Sequence, residues 1–123
     1  MKVVILTEGG RGIGFGHITR CVAIYDGFKK YGITPIFIAR GDRSIADLLK
    51  PDSPVIFDWL KEKARLYSIL EDANAIVVDS YVASHYFYEK ISKMTKLLVC
   101  FDDNMRLEYP KGVVINGNVY AKE

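Results

Sequence analysis

Short continuous apolar runs alternate along this chain with stretches whose apolar residues recur every three or four positions. Val3-Val4-Ile5-Leu6 is a β-branched run of the kind expected of a strand buried on both faces. The glycine-rich segment 9–16 follows it. Ile18, Cys21, Val22, Tyr25 and Phe28 then repeat at helical spacing, with Gly32 placed to end that helix. Pro35-Ile36-Phe37-Ile38-Ala39 reads as the second strand, 42–49 as a short helix stopped before Pro51, and Pro54-Val55-Ile56-Phe57 as a weaker strand. Segment 61–70 has a helical pattern, with Ala64, Leu66 and Ile69 among its apolar positions. Ala75-Ile76-Val77-Val78 is again a buried strand, 83–94 a helix, Leu97-Leu98-Val99-Cys100-Phe101 a further strand and Val113-Val114-Ile115 the last.

Strands separated by helices of about 10 to 15 residues imply right-handed crossovers and a mostly parallel sheet covered by helices. The fold class is therefore α/β, a Rossmann-like three-layer sandwich. A length of 123 residues with no low-complexity linker predicts a single domain over 1–123. In such sheets ligands bind beyond the carboxyl ends of the strands. The unusual polar residues of this chain gather at those ends: 9–17 after the first strand, Asp79-Ser80-Tyr81 after the fourth, Asp102-Asp103-Asn104 after the fifth and Asn116 after the sixth. Four segments far apart in the chain are thus predicted to meet along one edge.

Five glycines fall between positions 9 and 16, namely Gly9, Gly10, Gly12, Gly14 and Gly16. Glycine allows positive φ and lets a ligand approach the main chain closely, and a helix starting near His17 would aim unpaired N–H groups at an anion or a developing negative charge. Two common nucleotide motifs do not fit. The P-loop ends in Gly-Lys-Ser/Thr, whereas these glycines run into Phe15-Gly16-His17. In the dinucleotide fingerprint the third glycine would fall on Phe15 or His17, and Arg40 stands where an acidic residue should end the second strand. His17 lies at the mouth of the helix and reads either as a general base or hydrogen-bond donor to a substrate, or as a capping or surface histidine.

Composition narrows the partners. Seventeen basic against 15 acidic residues leave a formal charge of +2, with no basic patch to attract nucleic acid. The tyrosines and phenylalanines are scattered through core-like positions, so base stacking is not indicated. No apolar run approaches the roughly 20 residues of a membrane span, and no signal peptide precedes Thr7 and Glu8. Two cysteines, Cys21 and Cys100, fit a reducing, cytoplasmic setting. The pair Asp102-Asp103 invites a metal reading, but without other hard ligands nearby in sequence no metal is expected; a turn-forming role for one and a substrate contact for the other are.

The run Gly14-Phe15-Gly16-His17-Ile18-Thr19-Arg20-Cys21 closely resembles the G-x-G-H-x-x-R-C motif of the PseG-like UDP-sugar hydrolases of pseudaminic acid biosynthesis and the related SpsG-type spore-coat polysaccharide proteins. Val78-Asp79-Ser80-Tyr81 resembles that family's D-S/H-Y segment, Phe101-Asp102-Asp103 its D-D segment, and residues 116–122 its N-x-N-x-Y-A stretch. The resemblance implies the N-terminal half of a GT-B-type architecture, related to the MurG glycosyltransferases, whose active site lies between two Rossmann-like domains. It implies hydrolysis of the bond between UDP and an amino sugar, with His17 activating or positioning water and no metal or redox cofactor. Gly14, Gly16, Arg20, Asp79, Tyr81, Asp103 and Asn116 are then candidates for the substrate side. Most UDP-binding surface belongs to the family's C-terminal half, so a C-terminal domain or a partner chain is expected to complete the site.

Several roles stay open at this level. Asp79 can orient His17, bind a sugar hydroxyl or cap the following helix. Tyr81 can donate to a substrate oxygen or pack. Arg20 faces the same side as His17 and can steer the diphosphate or pair with an acid such as Asp102. Cys21 belongs to the apolar stripe, and His85 reads as a surface residue. Hydrolysis itself competes with a non-catalytic sugar- or partner-binding role and with glycosyl transfer to another acceptor. The hydrolase reading requires the His17 imidazole to face an open crevice near the other loop tips.

Overall fold

The computed structural model describes residues 1–49, 54–101 and 113–115. Ten elements follow in chain order: β1 (Val3–Gly9), α1 (Gly16–Lys30), β2 (Ile36–Gly41), a 3-10 helix (Arg43–Leu48), β3 (Val55–Ile56), α2 (Lys63–Leu70), β4 (Ala73–Asp79), α3 (His85–Ser92), β5 (Thr95–Phe101) and β6 (Val113–Ile115). Each corresponds to an element expected from the pattern, shifted by at most a few residues at its ends. Four strands, β1, β2, β4 and β5, run longer than their apolar stretches. β1 carries on through Thr7 and Glu8, and both side chains are buried. The amides of Tyr31 and Gly32 donate to Phe28 O and Lys29 O, closing α1 where the glycine foretold it, and Gly32 takes the positive φ (+78°) that suits this position.

All five strand pairings are parallel, and the order across the sheet is β3-β2-β1-β4-β5-β6. This is the doubly wound order in which the chain works outward from β1 to one edge and then from β4 to the other. Successive side chains along a strand enter opposite faces. Val4 and Leu6 of β1, Ile76 and Val78 of β4, and Leu98 and Cys100 of β5 pack with Leu66 and Leu70 of α2 and Phe87, Tyr88 and Ile91 of α3. Ile5, Val77 and Phe101 point the other way, toward Ile18, Cys21 and Tyr25 of α1 and Ile45 of the 3-10 helix. Two cores separated by one sheet make the α/β Rossmann-like sandwich. Among the described residues, no helix is long and apolar enough to cross a membrane.

The strand order matters for function because it reverses between β1 and β4. The loop leaving β1 goes toward one edge and the loop leaving β4 toward the other, which opens a crevice at their carboxyl ends. Thr7 pairs with Asp79 in register, so the residues just beyond them on the two strands are spatial neighbours despite the 72 positions between them in the chain.

Candidate functional site

The loop between β1 and α1 turns back on itself. Gly10 N donates to Gly14 O at 3.0 Å and Gly14 N to Gly10 O at 2.7 Å. Both glycines have positive φ, +135° and +94°, a conformation that a side chain would strain. Asp42 ties this loop to the neighbouring 3-10 helix, accepting from Arg11 N at 3.0 Å and from Ser44 N at 2.8 Å. The Ser44 hydroxyl and then the Arg11 amide hold the Asp42 carboxyl below its ordinary range. Helix α1 begins immediately afterwards with Phe15 at its N-cap, whose side chain makes no capping hydrogen bond.

His17 therefore emerges from the first turn of α1 at the switch point, where it meets the end of β4. Its Nδ1 lies 2.5 Å from Asp79 Oδ1. Asp79 is fully buried. Arg20, one turn along the same helix face, grips that carboxylate with two further bonds: Nε to Oδ2 and Nη2 to Oδ1, both 2.7 Å. The guanidinium also lies 4.5 Å over the Phe101 ring at the end of β5. A planar fork of two parallel bonds is the strongest geometry available to an arginine and a carboxylate. A carboxylate accepts only, so His17 donates through Nδ1–H, and in the neutral ring Nε2 carries the lone pair. Nε2 is buried and, among the described residues, has no hydrogen-bond partner.

A cleft of about 230 Å³ lies here, lined by Ile13, Gly16, His17, Arg20 and Tyr81. The Tyr81 ring packs edge-on to the imidazole with centroids 4.2 Å apart. The open crevice expected for His17 is thus replaced by a narrower arrangement. The ring forms part of the cleft wall but is only 6% exposed, because Asp79 and Tyr81 enclose it.

The expected site residues separate into groups. Gly16, His17, Arg20 and Tyr81 meet in the cleft; Gly14 shapes the loop beside it, with open space where a Cβ would stand. Asp79 joins them from behind, acting through His17 and Arg20 and not on the cleft surface. It is not the cap of the next helix either: Ser84 is, its Oγ accepting from Phe87 N at 3.2 Å. Arg20 pairs with Asp79; Asp102, the acid first expected there, lies outside the described residues with Asp103, Asn104 and Asn116. Among the described residues no group of three potential ligands could hold a metal ion.

Glu8 was not among the expected site residues, yet it is fully buried at the tip of β1, bonded to Ser80, Tyr81 and Arg40. A charged residue directly continuing an apolar strand was the only available signal. Cys21, from the apolar stripe, lies with its Sγ 3.9 Å from Asp79 Oδ2. Burial first, and then the Asp79 charge, push its thiol far above the usual range near 9.0. Cys21 is expected to resist alkylation by iodoacetamide at pH 8.5 while the protein is folded and to react once it is unfolded, as mass spectrometry would record. The linkage has a definite sign: the folded state holds the thiol proton more tightly, so this group's contribution to stability declines as pH rises through the ordinary thiol range.

No family model matches this chain, and no curated protein matches it.

Proposed function

We propose that the cleft is the sugar end of a nucleotide-sugar hydrolase site, in which His17 Nε2 takes the proton of an attacking water. The observation that carries this reading is the His17–Asp79 pair: a buried carboxylate fixes the ring by Nδ1 and leaves Nε2, itself buried in the wall of a cleft at the switch point, without a hydrogen-bond partner among the described residues. The four motif resemblances to the PseG-like hydrolases supply the substrate class. Water oxygen forms a bond to the anomeric carbon, the bond from that carbon to the diphosphate oxygen breaks with its electron pair, and the water proton passes to Nε2. UDP leaves as the anion. Arg20 and the first turn of α1 face that developing charge, a placement suited to the diphosphate end of the bond.

The cleft is smaller than ordinary ligand sites of roughly 300–1,000 Å³, so it fits the sugar alone and leaves the uridine to another surface. In our reading that surface is a C-terminal domain or a partner chain, as in the two-domain GT-B arrangement, and the reaction runs in the cytoplasm, in keeping with two buried cysteines that are not joined in a disulfide. With that second half present and a UDP-activated diacetamido sugar as substrate, His17→Ala is expected to lower the rate of UDP release by about 10²–10⁴-fold. Full activity in that variant would remove the proposed role.

The near-complete burial of His17 favours a second reading, a domain that binds the sugar without catalysis. A thermal shift with the nucleotide sugar and no UDP release would decide for it. Free sugar as the sole product, with and without added acceptors, separates hydrolysis from glycosyl transfer.

A further inference from the structure

Glu8 and Asp79 are the two fully buried carboxylates among the described residues; Asp79 pairs in register with Thr7, the residue before Glu8, so the two acids stand at the tips of β1 and β4 on opposite faces of the sheet. Asp79 serves the imidazole. Glu8 is bonded instead to the turn that follows β4. Its Oε1 accepts from Ser80 Oγ at 2.6 Å and from Arg40 Nη1 at 3.1 Å, and its Oε2 accepts from the backbone N–H of Tyr81 at 2.8 Å. The Ser80 hydroxyl, having donated to Glu8, accepts in turn from Val82 N at 3.1 Å and Ala83 N at 3.2 Å. Arg40 comes from the register partner of Glu8 on β2 and also reaches Asp58 at 3.4 Å.

Enclosing a carboxylate costs several kcal/mol even after relaxation, and the enclosure persists only when donors replace the lost water. Here three donors do so, and two of them belong to consecutive residues of one turn. The turn is therefore clamped to β1, across the switch point, by a group 73 positions away in the chain. The ring carried by that turn is Tyr81, which meets the His17 imidazole at 4.2 Å and walls the cleft. His17 and Tyr81 are thus both hung from the end of β1, one through the glycine loop and the other through Glu8.

We propose that Glu8 is a positioning residue for this cleft, holding the Tyr81 backbone so that its ring stands edge-on to His17. The effect on turnover rests on the hydrolase reading; the placement of the ring does not, and it is tested without substrate. Carbon- and nitrogen-detected NMR of the two histidines, with His85→Gln to assign them, gives the His17 ring resonances, and Tyr81→Leu defines their position without the aromatic neighbour. Glu8→Gln keeps the size of the side chain but leaves one acceptor oxygen for three donors. In folded Glu8→Gln the His17 resonances are expected to shift to the Tyr81→Leu position, and Ser80→Ala, a milder change that keeps the Tyr81 N–H bond, to move them part of the way. In the UDP-release assay Glu8→Gln is expected to lose about a hundredfold in kcat.

A Glu8→Gln protein that melts lower but keeps the wild-type His17 resonances shows a merely structural carboxylate and overturns the proposal. So does a Tyr81→Leu spectrum identical to wild type. Should Glu8→Gln fail to fold, Ser80→Ala decides by the same criterion. A shifted spectrum in an enzyme with no wild-type UDP release leaves the positioning role standing and removes only the hydrolase reading.

Discussion

Asp79→Asn is expected to lower stability by about 3 kcal/mol and, on the hydrolase reading proposed above, to reduce the rate of UDP release by about 10³–10⁴-fold. The substitution removes one charge and almost no volume, so its effect comes from bonding alone. Asp79 is fully buried and receives Nδ1–H of His17 and both arms of the Arg20 fork. An asparagine has one acceptor oxygen and a donor NH₂, so it cannot satisfy all three. Removing one partner of such a pair leaves the other charge inside the protein without compensation; the Arg20 side chain, 27% exposed, recovers only part of its hydration. The amide NH₂ also faces Nδ1 as a donor, which favours the tautomer with its proton on Nε2 and takes away the acceptor that the water requires. Urea denaturation measures the first effect and the UDP-release assay the second. A stability loss below about 1 kcal/mol would mean that the three bonds do not contribute as a buried network.

The other large effect is expected at Trp59. This side chain is fully buried between β3 and α2, tilted against Phe87 with centroids 5.3 Å apart, and its Nε1 donates to Thr7 O at 2.8 Å. Trp59→Ala is expected to cost about 3–5 kcal/mol, the range for emptying a large aromatic site in a packed core. Set against a typical folding stability of about 5–15 kcal/mol, that removes a large share of the total. Trp59→Phe keeps most of the packing and loses the bond to Thr7, so it should cost about 1–2 kcal/mol. The difference between the two variants, read from chemical denaturation, separates the packing from the hydrogen bond. Thr7 immediately precedes Glu8, so the indole also steadies the strand end on which the cleft is built.

Much of the architecture was legible in order along the chain. β-branched runs bounded by polar residues marked β1, β4 and β6, and three-and-four spacing with Gly32 beyond it marked α1. The ends of the strands were less legible, because β1 continues through Thr7 and Glu8, residues whose polarity suggests a surface turn. Glu8 stays inside because the sheet supplies partners on both sides: Arg40 opposite it on β2, and the 80–81 turn beyond β4. No local pattern contains that information. The same holds for Arg20. Helical spacing put it on the side of His17, but the acid it binds is chosen by the pairing of β1 with β4.

The order of residues by itself determined the fold class, the position of the glycine turn and the presence of an imidazole at the first turn of α1, since each follows from propensity and periodicity within a few turns of chain. Only the tertiary structure decided that Asp79, gripped by Arg20, holds that imidazole, that Tyr81 closes over it, and that Glu8 anchors Tyr81. Those contacts join residues about 60 to 70 positions apart, brought together by a strand order that reverses between β1 and β4. Hydrogen bonds between side chains that distant leave no periodicity in the sequence, because the sheet register alone sets which of them meet.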